Sequence, residues 1–153
     1  MHINPDHFLE TPQGRHLSAL RNKIAWDLSF QALDLALKCG IAEKIYIMIG
    51  CQASGKSTWA NKQHQLEDRI IIFDAILVKR SERAPILIKA HAFNVMTIAV
   101  SMQTSLDQCL AHNRSRPRDQ RVNETALRNV FQAIEKPTYL EGFDGIIQIA
   151  RYD

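Results

Sequence analysis

Residues 44–58 read Lys44-Ile-Tyr-Ile-Met-Ile49-Gly50-Cys51-Gln52-Ala53-Ser54-Gly55-Lys56-Ser57-Thr58. Six residues, mostly apolar and β-branched, run into a loop that fits G-x-x-x-x-G-K-[ST], and a segment of helical character follows. The first part has the pattern of a strand buried on both faces, as in a parallel sheet. The second has the spacing of a phosphate cradle. Backbone N–H groups wrap around phosphate oxygens, and the following helix N-terminus adds a favourable dipole. Gly50 and Gly55 let the backbone turn and approach. Cys51, Gln52, Ala53, Ser54 and Thr58 complete the loop. Lys56 is the point charge for the β- and γ-phosphates, and Ser57 offers a hydroxyl to magnesium. A plain Gly/Ser turn between strand and helix is the alternative. Cys51 reads as a small loop filler, since nothing in the sequence pairs it with a base.

Outward from this loop, the periodicity alternates. Residues 18–38 predict a helix with two apolar stripes: Leu20, Ile24, Leu28 and Leu35, then Trp26, Phe30, Leu33 and Leu37. Two stripes suggest a helix sandwiched between layers. Gly40 follows its end. A helix is expected over 55–66, a second buried strand over 69–74, and a helix over 82–93 with Pro85 in its first turn. A third strand falls within 94–102. Thr104 and Asp107 resemble a capping box opening a helix through about residue 113. Asn123 caps a helix over 124–135 that Pro137 stops, and 145–149 is a last strand. Residues 1–16 read as irregular, broken by Pro5, Pro12 and Gly14. Strands alternating with helices imply an α/β fold with a short, mostly parallel sheet of about four strands. The expected organisation is an N-terminal helical extension over 1–40 and a three-layer P-loop NTPase-type domain over 41–153.

Two further features bear on chemistry. Asp74 ends the apolar run Ile70-Ile-Ile-Phe73, at the edge where open parallel sheets bind ligands. It could hold magnesium through water, accept a proton from a substrate hydroxyl, or merely cap the following turn. Ala75 follows, where ATPases that activate water often carry glutamate. That favours transfer onto a bound acceptor. Arg114, Arg116, Arg118 and Arg121 form an arginine segment between two predicted helices. Their guanidinium groups could fork onto phosphate oxygens, or form a solvated basic loop. His112 adjoins this segment. The other histidines have no metal-ligand spacing, and Trp59 and Phe131 read as packing residues.

The 153 residues carry 19 basic and 16 acidic side chains, net +3. The arginine segment, with Asp119, accounts for that charge and leaves fifteen of each sign elsewhere. A broad nucleic-acid coat is therefore excluded. With 46% hydrophobic residues, the chain is long enough for a core without staples. No apolar run approaches a membrane span, and residues 1–16 do not resemble a secretory signal. Three widely spaced cysteines argue against a disulfide framework or zinc site and suggest a reducing cytoplasm.

Residues 44–150 resemble the P-loop kinases related to polynucleotide kinase. The resemblance rests on the loop 50–60, on the Ile-Ile-Phe-Asp74 strand with Arg80 and Arg83 after it, on 106–116 leading into an arginine lid, and on Val122, 131–137 and Glu141-Gly-Phe-Asp144. It implies an ATP- and Mg²⁺-dependent phosphotransferase acting on a hydroxyl of a small molecule or a nucleic-acid 5′ end. Lys56, Asp74 and Arg116 would do the catalytic work, the loop 50–58 and Arg114 would hold nucleotide, and Ser57 and Asp74 would serve the metal. Three departures matter. Gln52-Ala53 replaces Pro-Gly, and His112 stands where the lid usually has arginine. About fifteen residues separate the loop from Asp74, where family members place another strand ending in an acid that can deprotonate the acceptor. Asp6, His7 and Glu10 in the extension are the candidate substrate contacts outside the resemblance. The alternative from another class is a nucleotide-binding switch, or slow ATPase, that lacks an acceptor site.

Overall fold

The centre of the molecule is the strand that precedes the loop. A computed structural model describes residues 1–150; the last three residues of the predicted 41–153 unit lie outside them. The elements run β1 (His2–Ile3), a 3-10 turn (Pro5–Phe8), a hairpin of β2 (Glu10–Thr11) and β3 (Gly14–Arg15), α1 (Ala19–Lys38), β4 (Lys44–Ile49), α2 (Lys56–Leu66), β5 (Ile70–Phe73), α3 (Arg80–Ala92), β6 (Met96–Met102), α4 (Leu106–Ser115), a 3-10 turn (Arg118–Gln120), α5 (Glu124–Gln132), a 3-10 turn (Tyr139–Glu141) and β7 (Gly145–Ile149). The main sheet has the order β1-β5-β4-β6-β7, and every neighbouring pair is parallel. All five strands therefore end at the same edge, with β4 flanked there by β5 and β6.

The strand sequences explain the layers. Ile45, Ile47 and Ile49 face one way, with Ile71 and Phe73 of β5, and pack against Leu33 and Leu37 of α1 and Ile86 and Leu87 of α3. Tyr46 and Met48 face the other way, with Ile70 and Ile72, and pack against Trp59 and Ala60 of α2. A parallel sheet needs both faces covered, so its strands lack the one-sided alternation of an exposed sheet. A third, smaller cluster joins Cys51 to Cys109 and Leu110 of α4 and Leu127 of α5. No helix among the described residues is long and apolar enough to cross a membrane.

Several expectations are corrected. The sheet has five strands, because residues 1–16 are not irregular. His2–Ile3 pairs with Ile72 and Phe73, the Met1 ammonium donates to the Ile70 carbonyl at 2.6 Å, and the Asp74 N–H donates to the Ile3 carbonyl at 2.8 Å. The helix α1 is not sandwiched: Leu20, Ile24, Leu28 and Leu35 are exposed, and only the Leu33 and Leu37 side meets the core. The N-cap of α4 is Ser105, whose box partner is Gln108, because the Thr104 hydroxyl is committed to the Ser54 carbonyl. α3 begins two residues early, which puts Pro85 in its second turn. α5 ends at Gln132, before Pro137 acts.

One buried ion pair pins the segment beyond β5. Arg83 is fully buried, and its Nε and Nη2 donate to Glu141 at 2.8 and 2.9 Å. Its Nη1 donates to the carbonyls of Leu77 and Val78, both at 3.0 Å. The planar fork of a guanidinium suits a carboxylate taken bidentately. The arginine that follows the acid-ended strand is thus part of the scaffold and lies away from the site.

Candidate functional site

The loop 50–58 folds tightly because two of its positions need glycine. A Cβ on Gly50 would lie 2.7 Å from Ser54 Oγ and 3.1 Å from Met102 Cβ. Gly55, at φ +97°, makes the left-handed turn that starts α2 at Lys56. Lys56 is 7% exposed. Its ammonium donates to the Gly50 carbonyl at 2.9 Å and the Cys51 carbonyl at 2.8 Å. Burial lowers its pKa, and the charge of Asp74 works against that. The lysine is thus parked on its own loop by bonds that a more strongly acidic ligand could replace.

Ala53 adopts φ +60°, a region that costs a side chain roughly 1–2 kcal/mol. This is the position where Ala replaces the glycine of the resembled motif. His112 and Thr104 hold the loop in that shape: His112 Nδ1 lies 3.1 Å from the Ala53 carbonyl, and Thr104 Oγ1 donates to the Ser54 carbonyl at 2.7 Å. Ala53→Gly is expected to leave the loop geometry intact and to raise stability by about 0.5–1 kcal/mol, because relief of the left-handed strain outweighs the added freedom of the unfolded chain. Urea unfolding measures this, and a destabilised variant would contradict it.

Asp74 stands just past β5 and is 2% exposed. Its Oδ2 accepts from Ser57 Oγ at 2.6 Å and Asn4 Nδ2 at 3.0 Å, and lies 3.2 Å from His2 Nε2. Burial pushes its pKa up, but the His2 hydrogen bond, the Lys56 charge and the Ser57 hydroxyl together outweigh it and hold the pKa below the ordinary carboxylate range. It is an anion at neutral pH, beside the first turn of α2.

These groups share one cleft of about 470 Å³. Its floor is Gln52 to Thr58 with Asp74. One wall is Asn4, Pro5, Asp6, Arg15, Leu17, Asn22 and Trp26 from the N-terminal segment, with Ala75 and Ile76. The other is Arg116 and Asp119 to Val122. Arg116 is half-buried; its pKa is lowered by burial and by neighbouring Arg15, with Asp6 and Asp74 opposing. Lys56, Ser57, Asp74 and Arg116 are therefore brought together. Arg114 is not: its guanidinium pairs with Glu124 at 2.7 and 3.1 Å on the surface. Gly50 and Cys51 support the loop from below, outside the cleft lining. Cys51 Sγ lies 3.3 Å from Cys109 Sγ. The Cys109 hydrogen bond lowers the Cys51 pKa against burial, while Cys109 itself is pushed far up.

The donor set can be judged against the expected ligands. Ser54 Oγ and Gln52 Oε1 are buried without a partner, which is what a loop shaped around another molecule's polar atoms would leave. One hydroxyl and one carboxylate oxygen suit magnesium, which keeps several waters and takes its other ligands from phosphates. Among the described residues no group of three or more His, Cys, Asp or Glu could hold a metal unaided.

Of the N-terminal candidates, Asp6 lines the cleft, His7 packs edge-on against the His2 ring at 5.1 Å, and Glu10 pairs with Arg15. Sequence reasoning missed His2, Asn4, Arg15 and Thr104. A signal for Asn4 was present: Asn before Pro is a cap followed by proline at the first turn position, and here Asn4 Oδ1 accepts from the Asp6 N–H. No protein-family model and no curated protein matches the chain.

Proposed function

We propose that the protein is an ATP- and magnesium-dependent phosphotransferase of the P-loop kinase type, acting on a hydroxyl acceptor. The observation that carries this reading is the 2.6 Å bond between Ser57 and a buried, ionised Asp74, directly beside the buried Lys56. A hydroxyl at the start of the helix and a carboxylate at the end of the next strand form an oxygen pair suited to a hydrated divalent cation. Magnesium, when bound, neutralises charge on the phosphates and orients them. Lys56 exchanges its two carbonyl partners for phosphate oxygens. The helix dipole of α2 and the loop N–H groups hold the triphosphate. Arg116 meets the charge that develops on the transferred group.

Incubation with γ-labelled ATP and a panel of hydroxyl compounds tests the proposal. Label should move to an acceptor, and Asp74→Ala should lower that transfer by about 100-fold or more, several kcal/mol of transition-state stabilisation. Tight ATP binding with no acceptor labelled would instead indicate a nucleotide-binding switch. Phosphate release that ignores the acceptor would indicate a slow ATPase.

A further inference from the structure

The half of the cleft that the phosphate chemistry does not use belongs to the N-terminal segment. β1 is the edge strand beside β5, so the chain leaves it at the same edge as Asp74. Asn4 then acts as a two-ended spacer. Its Nδ2 donates to Asp74 Oδ2 at 3.0 Å, and its Oδ1 accepts from the Asp6 N–H at 2.9 Å. Asn4 is 8% exposed. The Asp6 backbone is thereby tied to Asp74 through Asn4, and Asp6, a lining residue of the cleft, carries a half-exposed carboxylate to which Arg15 Nη1 donates at 2.9 Å. Trp26, half-buried, lines the same wall and packs against Phe30 and Phe73, with ring centroids 6.2 and 6.3 Å away. Asn22 adds an amide.

The charges select among acceptors. Lys56 and Arg116 serve the phosphates. Arg15 is shared between Asp6 and Glu10, so this wall has no surplus positive charge. A polyanionic acceptor such as a nucleic-acid end needs a basic track. An aromatic ring sharing a cleft with an amide, a carboxylate and a guanidinium group suits an uncharged ring that carries hydroxyls.

We propose that residues 4–26 form the acceptor subsite, that it takes a neutral hydroxyl-bearing ring compound, a free sugar or a nucleoside, against Trp26, and that Asp6 is the base for the reacting hydroxyl. This rests on the phosphotransferase reading. The Asp6 carboxylate takes the hydroxyl proton. The acceptor oxygen forms the new bond to the γ-phosphorus, the bond from that phosphorus to the β–γ bridging oxygen breaks, and ADP leaves with the electron pair.

The test uses the full chain. In the Trp59→Phe protein, Trp26 is the sole tryptophan, and its emission is followed with Mg–ADP present as glucose, uridine or a 5′-hydroxyl oligothymidylate is added. A saturable change with glucose or uridine, and none with the oligonucleotide, is the expected result; which of the two responds distinguishes sugar from nucleoside. Transfer from labelled ATP is then measured in Asp6→Asn, expected to fall by about 100-fold or more in kcat with acceptor KM within roughly threefold. Trp26→Ala should raise acceptor KM by about tenfold or more, a loss of the size expected when an aromatic platform is removed. Wild-type kcat in Asp6→Asn, a silent Trp26 with both neutral compounds, or labelling of the oligonucleotide alone overturns the proposal. Nucleotide binding is read separately with a fluorescent ATP analogue. If wild type fails to bind it, the phosphotransferase reading itself has failed; if binding persists while the acceptor results go the wrong way, only the subsite has.

Discussion

Lys56→Ala should lose nucleotide affinity by about 100-fold or more while the protein stays folded. The reasoning is asymmetric. In the free protein the ammonium is almost fully buried, hydrogen-bonded to two loop carbonyls, with the Asp74 charge as its nearby counterion. Burial of a charge is unfavourable, as its lowered pKa records. Below that folded pKa the lysine is charged in both states and subtracts from stability; the subtraction fades as pH rises through it toward the unfolded value. Removing the ammonium therefore costs the fold little and relieves that subtraction. With phosphate present, the same burial turns into a strong, poorly screened attraction. Isothermal titration with ATP measures the affinity, and thermal unfolding measures the fold. Unchanged affinity would sink the phosphate reading of the loop.

The largest effect on stability is expected far from the cleft, at Glu141. Glu141→Ala would leave the fully buried Arg83 guanidinium without its carboxylate. Breaking one side of a buried pair costs about 3–5 kcal/mol, a fall in Tm of roughly 6–20 °C for a chain of this size. The double variant Arg83→Met/Glu141→Leu should recover a large part of the loss, since it removes the unpaired charge along with its partner. Guanidinium unfolding of both variants decides it. A single-variant loss below about 1 kcal/mol would mean that water reaches Arg83 and the pair has no such weight. Arg83 also grips the carbonyls of Leu77 and Val78, one residue beyond the Ala75–Ile76 wall of the cleft, so the site's shape depends on this remote pair.

The legible parts of the molecule were those with strong local signals. The strands around Ile47 and Ile72 are continuous apolar runs because both faces are covered, and the loop carries its geometry in two glycines and a lysine. The N-terminal side of the cleft was not legible. A two-residue strand has no periodicity to detect, and His2–Ile3 joins the sheet only because β5 offers an edge. The exposed leucines of α1 misled for a related reason: helical spacing shows that residues share a face, but not whether another layer meets it. Arg114 and Arg116 are two residues apart in one basic segment. Whether each reaches the cleft was decided by Glu124, whose approach depends on how α5 returns.

The placement of β1 also has a consequence for assembly order. Its hydrogen bonds close across 69 positions, an entropic cost of about 4 kcal/mol by loop-closure scaling, and they are few. During synthesis β1 must wait for β5 before it has an edge to join. The floor of the cleft can form from β4, α2 and β5 alone, whereas its N-terminal wall arrives last and opens first. Amide exchange should therefore be fast at Ile72 and Asp74, whose N–H groups bond to the Met1 and Ile3 carbonyls, and slow at the β4–β6 ladder. On the proposed reading, the phosphate donor side would lie in the rigid core and the acceptor side in the part of the fold that opens most easily.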